Sequence, residues 1–245
     1  MPDVVFESLV PDWPVPANVG ALQTLRGGGC SGAPWDSFNL GDHVGDDPQS
    51  VLANRQQLTR FLPTEPTWLR QVHGNLAVNA AECAKNAEAD AVFARSSGLV
   101  CAVMTADCLP VLFCDRAGSV VAAAHAGWRG LLAGVLENTL LVMQTPPDQV
   151  IAWLGPAIGP DNFEVGDDVY QAFVGQDSRS ARFFLPHSAG KWLADLYGLA
   201  RFRLGLAGVA AIFGGGFCTF ADRERFFSFR RDGVTGRMAS LIWLR

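Results

Sequence analysis

Short continuous apolar runs, bounded by Gly, Asp and Pro, punctuate this chain and read as buried strands. They are Leu99–Met104, Pro110–Cys114, Ser119–His125, Val150–Leu154, Val209–Phe213 and Met238–Leu244. Thr67–Val72 reads as a further strand that ends at His73-Gly74. Helical spacing predicts helices elsewhere. Pro48–Leu62 carries Val51, Leu52, Arg55 and Leu58 behind an Asp47 cap, with Pro48 in the first turn. Gly127–Gln144 presents Trp128, Leu131, Val135 and Val142 on one face, and Asp167–Phe173 and Lys191–Leu204 are amphipathic. Residues 20–47 are rich in Gly, Asp, Ser and Asn and predict a long irregular segment. Loops of that length inside a compact domain are usually functional or disordered, and the several glycines here favour the former. Gly155-Pro156-Ala157-Ile158-Gly159-Pro160 reads as an irregular turn. Strands in hairpins mixed with helices predict an α+β fold: one domain over residues 1–245, with mixed β-sheets flanked by helices.

One hairpin brings chemistry together. Asp115-Arg116-Ala117-Gly118 reads as its turn. If Asp115 faces Gly118, then Cys108 lies directly opposite His125. Directly opposed residues have Cβ atoms about 4.5–5.5 Å apart. A three-residue loop would shift that register by one, and Pro110 would interrupt the pairing.

His73, Cys108 and His125 are accordingly the candidate centre. Each sits in an apolar or small-residue setting at a strand or strand end, and the chain has only four histidines. Two imidazoles and one thiolate leave a fourth position of zinc open, which is the catalytic pattern; structural zinc takes four protein ligands. Without metal, the same residues read as a cysteine nucleophile with a histidine base.

Composition narrows the class. Of 245 residues 49% are hydrophobic and 18% charged, so a large core is available and disorder is not expected. A net charge of −5 without any Lys/Arg block argues against nucleic-acid or anionic-membrane partners. None of the six cysteines forms a Cys-x-x-Cys pair. Met1–Pro16 lacks a basic start and an apolar run, and no stretch reaches membrane-spanning length. The expectation is a cytoplasmic protein with free thiols. Cys83, Cys101, Cys114 and Cys218 read as packing thiols, Cys30 takes no role, and His187 reads as an exposed residue without partners.

Several motifs resemble one family. They are Asn39-Leu40-Gly41-Asp42-His43-Val44-Gly45-Asp46, Gln71-Val72-His73-Gly74, Thr105-Ala106-Asp107-Cys108-Leu109-Pro110, Ala124-His125-Ala126-Gly127-Trp128-Arg129 and Gly155-Pro156-Ala157-Ile158-Gly159. The tail, Phe227 to Asp232 and Thr235 to Ala239, continues the series. Together they resemble the YfiH family over about residues 24–244, in order. The resemblance implies a single α/β-type domain with mixed sheets and a zinc site at His73, Cys108 and His125. It also implies competing activities: purine nucleoside and methylthioadenosine phosphorolysis, adenosine deamination, peptidoglycan editing of serine-containing precursors, and polyphenol oxidation. A laccase needs a blue-copper site plus a separate histidine-rich copper cluster. His43, His73, His125 and His187 are too few for both, although bound copper could still oxidise adventitiously in vitro.

The favoured expectation is a zinc-dependent purine nucleoside phosphorylase with adenosine deaminase activity, using nucleoside and phosphate, as a monomer or weak homo-oligomer. Asp107, beside Cys108, is the nearest proton carrier in sequence. Phosphate needs cations and backbone N–H donors. Arg26 before Gly27-Gly28-Gly29, Asn39, His43 and Arg129 at a helix start are the expected contacts. The rivals are a metal-free amide hydrolase with Cys108 as nucleophile and His125 as base, a non-catalytic zinc protein, and a copper oxidase.

Overall fold

The computed structural model describes residues 6–245; the first five positions of the Met1–Pro16 segment lie outside the described residues. In chain order the first strands are β1 (Ser8–Leu9), β2 (Val19–Thr24), β3 (Ala77–Asn79), β4 (Ala91–Ala94), β5 (Val100–Thr105), β6 (Leu109–Asp115) and β7 (Val121–Ala126). They are followed by β8 (Val150–Leu154), β9 (Glu164–Gly166), β10 (Phe184–Pro186), β11 (Lys191–Ala194), β12 (Ala211–Gly214) and β13 (Met238–Leu244). The helices are α1 (Pro48–Thr59), α2 (Trp128–Ala133), α3 (Val135–Met143), α4 (Asp167–Gln176), α5 (Leu196–Leu206) and α6 (Phe229–Asp232).

A four-stranded sheet runs β1-β2-β13-β5 and a six-stranded mixed sheet runs β12-β8-β6-β7-β4-β3; a small third sheet is β10-β11-β9. The two larger sheets pack face to face. Alternate residues show this directly. Cys101 and Val103 of β5 and Ile242 of β13 share one core with Leu112, Cys114, Val121 and Ala123 of the six-stranded sheet. Val100, Ala102 and Met104 point the other way, onto Phe38, Leu40 and Leu58 of the long loop and α1. Val111, Phe113, Ala122 and Ala124 face a third core built with Leu131, Leu136, Leu140 and Leu204. Both faces of both sheets are therefore covered, which is why β5, β6, β7 and β8 read as unbroken apolar runs. The architecture is α+β with mixed sheets and flanking helices, as expected.

Several boundaries differ from the sequence expectation. The strand β2 takes Val19–Thr24, so the irregular segment begins only after it. Thr67–Val72 makes only isolated bridges, Thr67 to Cys101 and Arg70 to Glu88. The expected helix Gly127–Gln144 is two helices, because Gly134 adopts φ 91 and turns the chain between α2 and α3. Lys191–Ala194 is strand, and Asp195 then caps α5 by accepting from Gly198 N–H. Asp47 caps α1 as predicted, accepting from Gln49 and Ser50 N–H. No helix among the described residues is long and apolar enough to cross a membrane.

The β6–β7 register also departs from expectation. Cys114 pairs with Val121, and Pro110, not Cys108, faces His125. The reason lies in the turn. Asp115 accepts from Ser119 N–H (2.7 Å), Val120 N–H (3.1 Å) and the Ser119 hydroxyl (2.5 Å), which closes a loop two residues longer than the predicted one. A shift of two keeps every side chain on its face. Cys108 and His125 thus remain on the same side, diagonal rather than opposed. Pro110 does not break the strand, because His125 N–H donates to Asp90 O (2.7 Å) on the other flank.

Candidate active site

The polypeptide crosses from the four-stranded to the six-stranded sheet through Ala106-Asp107-Cys108, between β5 and β6. That crossing opens the end of the gap between the sheets. Cys108 sits at its mouth, His125 at the end of β7 on the inner face, and His73 on the turn after residues 67–72. Their ligand atoms all lie within 4.8 Å of one another. Cys108 Sγ is 3.9 Å from His73 Nε2, and the two imidazole rings meet edge to face at 4.8 Å. Bonds of about 2.0–2.3 Å in a tetrahedron separate ligand atoms by roughly 3.5 Å. The trio is therefore a little wider than a closed metal site and needs only a small inward movement. Among the described residues it is the one group of three or more His, Cys, Asp or Glu side chains placed to hold an ion.

Asp90 organises this centre and was missed from sequence. It is fully buried just before β4. One of its oxygens accepts from His125 Nδ1 at 2.8 Å, which leaves Nε2 for the ligand position. The same carboxylate collects the N–H groups of Val72 (3.2 Å), His73 (2.9 Å) and Gly74 (2.6 Å). This nest holds His73 at φ 60, a left-handed conformation rarely adopted by non-glycine residues. One buried side chain therefore aims both histidines. Its available signal was a lone acid between Ala89 and Ala91 at the start of an apolar run.

Close packing explains the residues after His125. A Cβ on Gly127 would lie 2.9 Å from Cys108 Sγ and 3.1 Å from His73 Cδ2, so only glycine lets the thiol and imidazole close over the backbone.

Electrostatics of the metal-free centre favour an ion pair. Burial pushes the Cys108 thiol up, but the His125 charge and hydrogen bonds from both histidines outweigh it and bring it down to about 6. Burial pulls His125 down, but Cys108 and the bond to Asp90 raise it to about 9. Burial pushes Cys101 far up and Cys114 to about 12, as suits packing thiols. All six cysteines are free.

Above the trio a hollow of about 290 Å³ is lined by His43, Gln71, Met104, Thr105, Phe229 and Arg237. Gln71 is clamped by Met104, donating to its carbonyl (2.8 Å) and accepting from its N–H (2.7 Å). Arg237, absent from the expected set, is the cation of this hollow. Its Nη1 donates to Thr235 O and Gly236 O, and its guanidinium lies 5.9 Å from the Phe229 ring centre. It stood in the tail motif Thr235-Gly236-Arg237-Met238-Ala239 but was not given a role there. His43 lines the hollow as expected. Burial and the Arg237 charge lower its pKa against the opposing pull of Asp42, so it is a neutral imidazole at neutral pH.

The other expected contacts lie elsewhere. Arg26 spends its guanidinium on Asp36 O, the Asp36 carboxylate and Arg223 O, and stacks on Phe227. Asn39 is fully buried and ties Gly41, Asp46 and Arg237 N–H together. Arg129 is exposed, 4.4 Å from the Trp128 ring centre. Asp107, at φ 93, accepts from the Thr219 hydroxyl (2.6 Å) and Arg230 N–H (2.7 Å). Both of its oxygens are committed to the tail, and it does not line the hollow. Its left-handed φ belongs to the crossing from β5 to β6. His187 is not unpartnered: its Nε2 lies 3.6 Å from Glu164.

Comparison with known proteins extends this picture. A family model described as multi-copper polyphenol oxidoreductase laccase matches residues 20–245. A Pseudomonas aeruginosa protein named purine nucleoside phosphorylase is 55% identical over 238 residues, covering 97% of this chain and 98% of its own. An Escherichia coli protein named purine nucleoside phosphorylase YfiH is 54% identical, covering 96% and 98%. The crystal structure of a Neisseria meningitidis protein superposes with a TM-score of 0.94 at 53% identity, covering 97% and 98% of the two chains.

Proposed function

This chain belongs to the YfiH-type multi-copper polyphenol oxidoreductase laccase family, and on that premise we propose that it is a zinc-dependent purine nucleoside phosphorylase that also deaminates adenosine. The observation that carries the reading is the convergence of His73, Cys108 and His125 beneath a hollow bearing Arg237. Relatives 54–55% identical over nearly the whole chain bear the name purine nucleoside phosphorylase, which supports the phosphorolytic part of the reading. The substrates are adenosine, inosine and methylthioadenosine, and the catalytic unit is the single domain of residues 1–245.

The donor set fits zinc: two imidazoles, one thiolate, a carboxylate behind one imidazole, and an open side towards the hollow. Zinc at this position would supply a Lewis acid that lowers the pKa of bound water to about 7. The chain's own residues do the rest. Asp90 holds His125 with Nε2 facing the hollow. Arg237 offers the fixed positive charge that phosphate requires, with neutral His43 beside it as hydrogen-bond partner. In phosphorolysis a phosphate oxygen bonds to C1′ as the C1′–N9 bond breaks, and the base leaves with a proton. In deamination water oxygen replaces the C6 amine and ammonia leaves. With Asp107 committed elsewhere, His43 is the neutral base in the cleft able to carry the proton.

A second reading has its own observation. Cys108, His125 and Asp90 stand in the order nucleophile, base and orienting acid. That supports a metal-free amide hydrolase acting on serine-containing UDP-MurNAc precursors. The copper-oxidase reading has the family description behind it, but among the described residues His43 and His187 do not join a second histidine cluster.

The deciding experiment is product analysis by mass spectrometry. Metal-quantified protein and its Cys108→Ala variant are incubated with adenosine or inosine, with and without phosphate. Ribose 1-phosphate and free base, formed only with phosphate and intact Cys108, are expected, with inosine from adenosine. A zinc-loaded protein that turns over neither nucleoside sinks the reading and leaves amide hydrolysis.

A further inference from the structure

Beside the hollow above the trio lies a second one of about 310 Å³. The two share His43, Gln71 and Met104 in their walls, so they are lobes of one continuous cleft. We propose that this second lobe is a subsite for an anionic group carried on the same substrate molecule, a nucleoside 5′-phosphate being its simplest ligand. The proposal deepens the nucleoside reading and rests on it for the identity of the substrate's other half.

Size comes first. Ligand pockets usually measure about 300–1,000 Å³. The lobe above the trio, at about 290 Å³, falls just short of that range, and a molecule that fills the cleft extends past Met104 into the second lobe.

The second lobe is rich in donors. Arg55 is held rigidly: its Nε donates to Leu40 O (2.9 Å) and its guanidinium stacks 4.5 Å from the Trp68 ring centre. The outer edge of that fork is poorly satisfied. Its Nη2 has the Met104 thioether at 3.9 Å and the half-exposed Asp42 carboxylate at 3.4 Å. A thioether is a weak acceptor, and a solvated ion pair at that separation contributes little. Guanidinium forks built into rigid surroundings suit bidentate capture of phosphate or carboxylate.

Trp68 adds a second donor. It is 5% exposed, lines the same lobe, and its indole N–H has no partner among the described residues. Buried polar groups are nearly always paired, and an orphan needs a reason. Thr105, which lines the catalytic lobe, carries an orphan hydroxyl of the same kind. Only Trp68, Thr105, Glu137 and Thr235 have such atoms among the described residues, and two of these four side chains line the two lobes. Among the described residues Asp42 is the one acid lining the second lobe; it pairs with Arg55 and His43 and must yield Arg55 to the incoming anion.

Calorimetric titration of the zinc-loaded full chain with adenosine, adenosine 5′-monophosphate and inorganic phosphate tests this. The monophosphate is expected to bind about tenfold more tightly than adenosine, as one added charge-assisted contact would give. Arg55→Gln is expected to abolish that ratio, and Trp68→Phe to reduce it, with near-UV circular dichroism checking the fold of each. Equal or weaker binding of the monophosphate by the wild type overturns the subsite, as does an unchanged ratio in both folded variants. Loss of inorganic phosphate affinity in Arg55→Gln, with phosphate displacing the monophosphate, assigns Arg55 to the co-substrate and also overturns it. Adenosine turnover is scored separately. Turnover without a monophosphate preference leaves the phosphorylase and removes the subsite; an Arg55-dependent preference without turnover does the reverse.

Discussion

At the scale of single residues, Asp90 is the side chain on which most depends. It fixes the ring of His125 and the backbone of His73 with one carboxylate. Asp90→Asn keeps the size but replaces an acceptor oxygen by a donor. Metal affinity is expected to fall 10–100-fold, as is typical when such a partner is lost; competition against a chelator of known affinity measures it. The thiol makes a second prediction. In the metal-free protein Cys108 stands at about 6, below its ordinary 9.0, and His125 at about 9, above its ordinary 6.5. Stability from Cys108 is lost as pH falls through about 6, and stability from His125 is lost as pH rises through about 9. The pair therefore stabilises the metal-free fold between these limits. Alkylation of Cys108 by iodoacetamide should fall off below about pH 6, and zinc should suppress it at every pH. A rate that tracks an ordinary thiol would contradict the ion pair.

At the scale of elements, the centre is made by where strands end. The residue pattern identified β5, β6, β7, β8 and β13 because each is apolar on both faces. It placed the β6–β7 turn two residues short, because the carboxylate of Asp115 closing a wider loop leaves no trace in hydrophobic spacing. It merged α2 with α3, because Gly134 interrupts an apolar face that continues past it. It read Lys191–Ala194 as helix, although a pairing with β9 decides that segment. The tight approach of the β7–α2 junction to the trio carries its own prediction. Gly127→Ala drives a methyl against Cys108 Sγ and His73 Cδ2. Metal affinity should drop by about tenfold or more while the far-ultraviolet circular dichroism stays native. Retained affinity, measured by the same chelator competition, would mean that the thiol and imidazole can give way without loss.

At the scale of the whole molecule, the centre lies where two packed sheets part, and its ligands come from positions far apart in the chain. A metal there links segments that the unfolded chain does not hold together. Zinc at about one hundred times its dissociation constant is expected to stabilise the fold by about 2.7 kcal/mol. Differential scanning calorimetry should show that rise in Tm in the wild type and none in Cys108→Ala. The amino-acid sequence by itself determined the strands with two apolar faces, the capped first helix, and the candidate trio of His73, Cys108 and His125, because burial and scarce chemical types are properties of local sequence. It also carried the family motifs that the comparisons bear out over residues 20–245. Only the tertiary structure decided which polar and charged residues line the cleft. Arg26, Asn39, Arg129 and Asp107 looked equivalent to Arg237 along the chain, yet their polar groups are spent on carbonyls, loops and the tail, or lie in solvent. Arg237 faces the hollow, and Asp90 stands behind the histidines. The physical reason is that a polar side chain takes its role from the partners that long-range packing brings to it, and no local pattern records those partners.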